Sequence, residues 1–369
     1  MNDLESIEAK VHRGERLSRE DGLALFAPSD LLAVGALADA VRRRMHGPVG
    51  LYCANTHVNY SNRCDNRCGL CAFWAAADDA RGYLMTVDEI VERVRPDVAA
   101  GVTEIHIVGG LHPEIGLDYA ARMLRRLRAA YPAVCLQAFT AVEIAYLAGK
   151  AGRSTADVLA ELKAAGLDGL PGGGAEIFDP AVRARIAPKK IPAEAWLDVH
   201  RQAHRLGLPT NATMLYGHVE TPANRVDHLL ALRALQDETG GLAAFIPLSF
   251  HPAGTQLADL PGPTACDDLR TMAVSRLLLD NVPHVKAFWV MLTPDLAQVA
   301  LRFGADDLDG TVIREEITHA AGAATPQQLT TADLARLIRG AGLEPVERDT
   351  LYRRIERGPR ATEWRRSEA

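Results

Sequence analysis

The chain has 369 residues, enough for one large domain or two ordinary ones with a sizeable core. With 48% hydrophobic and 24% charged residues it reads as a soluble globular protein rather than a disordered or membrane chain. A formal net charge of -6 argues against a nucleic-acid surface, which gathers Lys and Arg against phosphate; the short runs Arg42-Arg43-Arg44 and Arg353-Arg354 read as solvated faces.

The N-terminus, Met1 to Glu8, is charged and has no apolar signal-peptide core. The apolar stretch Leu31 to Val41 is broken by Asp39 and too short to span a bilayer. A cytoplasmic protein with reduced thiols is the expectation. Residues 1–47 read as a helical cap, with amphipathic spacing over Ser18–Phe26 and Ser29–Met45 and a break at Pro28.

From residue 48 short apolar strands alternate with helical patterns, the signature of parallel strands joined by crossover helices. The first strand leads into a cysteine-rich loop. Thr86-Val-Asp-Glu89 is a capping box, and Val87, Ile90, Val91, Val94 and Val98 follow at helical spacing. Further strands are predicted at 103–108, 134–139, 166–170, 210–216, 242–250 and 284–290, with an eighth segment over 306–312. Helices are predicted over 118–130, behind Ser154, from Pro192 to about Gly207, and after Thr221-Pro222. The pattern predicts an α/β chain: a full or partial (β/α) barrel over 48–315, with its site at the C-terminal ends of the strands. Residues 316–369 lose the strand alternation and read as a C-terminal extension, with a helix from Thr330 to about Gly340 and a frayed tail.

The chemistry gathers in His57 to Trp74, where Cys64, Cys68 and Cys71 follow the first strand with three and then two residues between them. Structural zinc and electron-carrier iron-sulfur sites take four protein ligands; only three are clustered here. A four-iron cluster on three thiolates leaves one iron open to a small chelating ligand. Cys53 is a possible distant fourth ligand, whereas Cys135 and Cys266 stand alone in apolar contexts. A zinc-stabilised module and an iron-sulfur electron carrier are the readings outside this chemistry.

The Cys64-x3-Cys68-x2-Cys71 spacing resembles the defining motif of the radical S-adenosylmethionine (SAM) enzymes, whose barrel is of this type. The resemblance implies a 4Fe-4S cluster on Cys64, Cys68 and Cys71, with S-adenosyl-L-methionine on the open iron and a one-electron donor such as flavodoxin or ferredoxin. It also implies SAM contacts from Phe73, from the backbone of Gly109-Gly110, from Glu176 at the end of Pro171-Gly-Gly-Gly-Ala-Glu176, and from Met214, Gly217 and Glu220. Leu111 and His112 follow the glycine pair where most members carry Glu, so the contact carried over there is a backbone one. Gly172-Gly173-Gly174 could form an anion-binding nest.

More narrowly, the words Gly109 to Pro113, Leu170 to Phe178, Asn211 to Thr221, Leu235 to Gly241, Phe245 to Pro252 and His284 to Met291 resemble the aminofutalosine synthase family of the futalosine route to menaquinone. Leu215-Tyr-Gly-His218, Pro247 to Pro252 and Phe303 to Thr311 favour it over the dehypoxanthine futalosine cyclases and the deazaflavin-synthase subunits. The implied reaction transfers the adenosyl group of SAM to 3-[(1-carboxyvinyl)oxy]benzoate, with aryl migration and loss of one carboxylate. A buried dicarboxylate needs cationic or hydrogen-bonding partners. Candidates are His251 and Lys286 first, then His112, Asn211, His218 and Arg314.

Overall fold

The computed structural model describes residues 3–27, 30–76 and 78–357. Pro28 and Ser29, and the tail 358–369, lie outside the described residues, and with them the expected break between cap helices and the expected fraying.

Helices Asp3–Arg13, Arg19–Phe26 and Leu31–His46 form the N-terminal part. Ser18 starts the second through a capping box with Asp21, and Asp30 caps the third by accepting from the backbone of Leu32 and Ala33. The second and third helices pack against the barrel's outer helices Pro222–Thr239 and Ala265–Leu278. They therefore lie along that flank of the barrel.

The strands are β1 (Val49–Cys53), β2 (Asn55–Val58), β3 (Glu104–Ile107), β4 (Cys135–Ala138), β5 (Thr210–Tyr216), β6 (Leu242–Ser249), β7 (His284–Val285), β8 (Asp307–Gly310) and β9 (Glu344–Glu347). They pair in parallel as three sheets, β8-β1-β9, β2-β3-β4 and β5-β6-β7. Single parallel bridges join the sheets at Gln137–Gly169, Leu170–Thr210, Lys286–Asp307 and Thr56–Ile313, so the pairing passes around a (β/α) barrel.

The expected helices form where their caps stand. Val87–Ala99 begins at the Thr86/Glu89 box and buries Val87, Ile90, Val91 and Val94, each worth about 1.5–3 kcal/mol relative to exposure. Leu117–Ala130, Thr155–Ala165 behind Ser154, Ala193–Arg205 behind Pro192, and Pro222–Thr239 behind Thr221 complete the predicted set. Further helices, among them Ala141–Ala151, Pro180–Ile186, Ala265–Leu278 and Pro294–Ala300, were not placed individually, although Thr140 and Glu143 form a capping box for the first.

Three strand expectations need correction. The fourth is only the bridged pair Gly169–Leu170. The seventh ends at Val285 with one bridge at Lys286, and Trp289–Leu292 turns helical. Trp289 Nε1 donates to the Gly310 carbonyl at 2.8 Å, a tertiary bond that a short apolar run does not reveal. In the extension, β9 follows helix Thr331–Gly340 and pairs with β1 from Val49–Glu344 to Tyr52–Glu347. A four-residue segment containing Pro345 reads poorly as a strand, and only the waiting edge of β1 makes it one.

Candidate active site

A cavity of about 330 Å³ opens at the C-terminal ends of the strands. Its rim is the loop after β2, tied down by Ser61 Oγ to the Tyr83 carbonyl at 2.6 Å, Asn62 Nδ2 to the Arg81 carbonyl at 2.9 Å and the Ala75 amide to the Asn62 carbonyl at 2.8 Å. Cys64, Cys68 and Cys71 are free thiols, and all three line the cavity. Burial raises Cys68 to about 11 and also raises Cys71, against which the amides of Phe73 and Trp74 act.

The donor set fits a polynuclear cluster better than a single ion. Tetrahedral zinc at about 2.3 Å from sulfur draws thiolates to about 3.8 Å of one another. Among the described residues the group with ligand atoms within 4.8 Å of one another is His46, His284 and Asp306, not the three thiols. Cys53 is no fourth ligand: it is fully buried in β1, away from the cavity, with its sulfur against Gly310. Cys135 is buried in β4, and Cys266 is exposed.

Phe73, Gly109, Gly110 and Glu176 also line the cavity. The glycine pair is demanded first by the protein itself. A Cβ on Gly109 would lie 2.7 Å from the Tyr60 ring, and one on Gly110 would lie 2.9 Å from the Arg63 carbonyl carbon. The Gly109 amide donates to Glu143 Oε1 at 3.1 Å and the Gly110 amide to the Ser61 carbonyl at 2.7 Å. The Gly110 carbonyl accepts from the His112 amide at 2.9 Å, so the Gly109 carbonyl is the one left for a ligand's amino group among the described residues. Glu143 also accepts from Tyr60 at 2.7 Å and from the Thr140 amide, and its burial raises its carboxyl.

Glu176, in left-handed backbone at φ 49°, forms an ion pair with Lys190. Burial alone would raise the acid and lower the amine; the pairing reverses both, holding Glu176 low and Lys190 high. Lys190 also faces the sulfurs of Cys68 and Cys71.

The segment after β5 is corrected. Period-two alternation turns Asn211, Thr213 and Leu215 into the cavity and Met214 into the outer core, where it is fully buried. Gly217 makes a turn at φ 90°, where a Cβ would stand 2.5 Å from Pro263. Glu220 accepts from the Gly217 and His218 amides at 2.7 and 3.0 Å and from Arg225 at 2.8 Å. Met214, Gly217 and Glu220 do not line the cavity; they build the turn behind it.

Of the substrate candidates, His251, Lys286 and Asn211 line the cavity. His251 Nε2 donates to the Met291 carbonyl at 2.9 Å, leaving Nδ1 available. Lys286 Nζ donates to Asp309 Oδ1 at 2.7 Å. The other three lie outside the cavity lining. His112 is buried, its Nδ1 accepting from the Glu114 amide at 3.1 Å. His218 Nδ1 lies 2.9 Å from Glu220 Oε2. Arg314 is spent on Asp97 and the Arg93 carbonyl. Sequence reasoning missed His57, His106, Gln137, Glu143, Lys190 and Asp309, all of which line the cavity. The capping box marked Glu143, and strand alternation could have marked His57 and His106; nothing local marks Lys190.

Family models match at residues 58–232, the radical SAM superfamily, and at 239–360, the CofH/MqnC C-terminal region. The aminodeoxyfutalosine synthase of Thermus thermophilus is 49% identical over 95% of this chain and 95% of its own. The chain belongs to the radical SAM superfamily. As a radical SAM enzyme it belongs to a family that uses a 4Fe-4S cluster and SAM, and Cys64, Cys68 and Cys71 are consistent with that cluster. The 5-amino-6-(D-ribitylamino)uracil–L-tyrosine 4-hydroxyphenyl transferase of Methanopyrus kandleri, 38% identical over 96% of this chain and 98% of its own, represents a more distant branch. In solved structures this radical SAM fold is similar to methylornithine synthase, with a TM-score of 0.74 at 16% identity, covering 92% of this chain and 97% of that one. No helix among the described residues is long and apolar enough to cross a membrane.

Proposed function

We propose that this radical SAM enzyme is an aminodeoxyfutalosine synthase. It would join the adenosyl group of SAM to 3-[(1-carboxyvinyl)oxy]benzoate, with aryl migration and release of one carboxylate and methionine. The observation that carries this reading is the near-full-length similarity to the Thermus thermophilus enzyme of that name, at 49% identity. The cavity supports it, because three thiols and a buried lysine open onto one space.

When bound, the cluster supplies the electron that cleaves SAM reductively. The chain's own part is to hold and exclude. Cys64, Cys68 and Cys71 would ligate the metal atoms, and the Gly109 carbonyl would accept from the amino group of SAM, with Gly110, whose carbonyl also holds the His112 amide, beside it. Glu176, anchored by Lys190, takes a second polar contact, and Phe73 offers backbone to the adenine. His251, Asn211 and Lys286 bind the dicarboxylate in a site whose walls keep water from a reactive intermediate. Met214, Gly217, Glu220 and His218 support the β5 end of that wall, while His112 and Arg314 serve packing and ion pairing. In domain terms, 48–315 forms the barrel, 1–47 its flanking helices and 316–369 an extension that returns a strand to it. The enzyme would work in the cytoplasm with flavodoxin or ferredoxin as donor, without nucleic acid or membrane.

The test is anaerobic reconstitution with iron and sulfide, then reaction with dithionite, SAM and the carboxyvinyloxybenzoate. The expected product is an adenosyl adduct lacking one carboxylate, read by mass. 5'-Deoxyadenosine without adduct would overturn the substrate assignment.

A further inference from the structure

Below the cysteine rim the barrel interior carries a second polar group of side chains. The register pairs His57 with His106 and His106 with Gln137 across β2, β3 and β4, so three inward positions stand side by side. The two imidazoles stack at 4.5 Å between centroids. Gln137 Oε1 receives His106 Nδ1 at 3.2 Å and Asn211 Nδ2 at 3.4 Å. Lys286 and Asp309 complete the set, joined at 2.7 Å, and all six line the cavity.

Their hydrogen bonds do not close. His57 is 6% exposed, and its Nε2 has no partner among the described residues. Buried polar atoms are nearly always satisfied, so a buried orphan on a cavity wall marks a missing acceptor or donor. Lys286 is 3% exposed and carries three donors, of which one is directed at Asp309. Asp309 fixes the ammonium in place, and Arg348 Nη2 lies 3.9 Å from the same Asp309 oxygen.

We infer that His57 and Lys286 form a carboxylate-binding subsite at the floor of the cavity, and that it takes the aryl carboxylate that the product retains. This rests on the synthase reading above. In that substrate one carboxylate sits on the vinyl carbon next to the reacting centre and leaves. The other lies across the benzene ring. Bond formation occurs by the cysteine loop, beyond the strand ends, whereas His57, His106, Gln137 and Asn211 lie within the strands themselves. A rigid aromatic acid with its vinyl end at the rim therefore delivers the ring carboxylate to the floor. There it accepts from Nε2 of His57 and from Lys286, while the His106–Gln137–Asn211 chain holds the imidazole stack in place.

The test compares 3-hydroxybenzoate with neutral 3-hydroxybenzamide as competitive inhibitors of the reconstituted enzyme, in the natural chain and in His57→Phe, His57→Gln and Lys286→Met. Iron content and thermal midpoint screen for folded, loaded protein. The acid should inhibit about ten- to a hundredfold better than the amide, the worth of a hydrogen bond to a charged group. That preference should collapse in His57→Phe and Lys286→Met, with KM for the substrate raised by a similar factor. His57→Gln, which restores one N–H donor, should recover part of it. An adduct-forming enzyme that does not prefer the acid, or a loaded His57→Phe that keeps the preference, overturns the subsite alone. A natural chain that forms no adduct removes the synthase reading and this inference with it.

Discussion

Gly110 and Arg63 meet backbone to backbone: a Cβ on Gly110 would stand 2.9 Å from the carbonyl carbon of Arg63 and 3.1 Å from the Cβ of Cys64. The glycine pair thus sets how close the cysteine loop comes to the end of β3, before any ligand is considered. Gly110→Ala should push that loop away at a cost of about 1–3 kcal/mol and lower the iron bound after reconstitution. Gly149→Ala, on a helix where nothing lies within 4 Å of the new methyl, should load iron fully and gain about 0.5–1 kcal/mol. Equal iron in both variants would remove the loop argument.

The six cysteines divide by place. Cys64→Ala, Cys68→Ala and Cys71→Ala should each lose cluster content and reductive SAM cleavage, because each thiol faces the cavity. Cys53→Ala should keep both and cost about 1 kcal/mol of stability for the lost buried sulfur. Iron and sulfide assays decide the matter; loss of cluster in Cys53→Ala would restore it as a ligand.

Glu176 and Lys190 form a buried pair beside Cys68. Lys190→Met leaves a buried carboxylate without its countercharge and should cost about 3 kcal/mol in chemical denaturation of the cluster-free protein. The double variant Glu176→Gln/Lys190→Met should regain most of that loss. If the double variant were no better than the single, the pair would not be the cause.

His204 sits half-buried, its Nδ1 2.7 Å from Thr239 Oγ1 and its Nε2 2.9 Å from Thr210 Oγ1. Burial lowers it from 6.5 to about 4. Between these values the unfolded chain holds a proton that the folded chain does not, so stability rises with pH across the window. The contribution is complete above about pH 6.5 and falls by about 2 kcal/mol at pH 5. Urea midpoints at pH 7.5 and pH 5 should differ less in His204→Gln than in the natural chain. An unchanged difference would place the acid sensitivity elsewhere, with the deeply buried His228, lowered to about 3, next in line.

Much of the site was legible because its signals are local. The cysteine spacing, the glycine pair, the Thr86 and Thr330 boxes and the run Thr210–Tyr216 each depend on residues close in sequence, and each stands where it was expected. The errors followed from treating a motif as though every residue in it faced the ligand. In Met214 to Glu220, pleating sends Met214 to the outer core, and the tight turn consumes Gly217 and Glu220 in its own hydrogen bonds. His218 and Arg314 were attractive as polar residues near strand ends, but Glu220 in the same turn engages the first and Asp97, far away in sequence, the second.

The sequence by itself determined that three thiols would crowd one loop, that helices and parallel strands would alternate, and where caps such as Thr86 and Thr221 would stand, since these rest on covalent spacing and backbone preference; the expected first strand before that loop is divided into β1 and β2. Only the tertiary structure decided that Glu344–Glu347 would be a strand, because its partners lie in β1, and that Gly169–Leu170 would fill a place in the barrel with single bridges. It alone brought His57, His106, Gln137 and Asp309 to one floor with Asn211 and Lys286, the two that the sequence had already marked. Those four are ordinary polar residues in their own segments. The parallel register and the curvature of the barrel point them at a common space, and burial there gives their unspent hydrogen bonds a consequence.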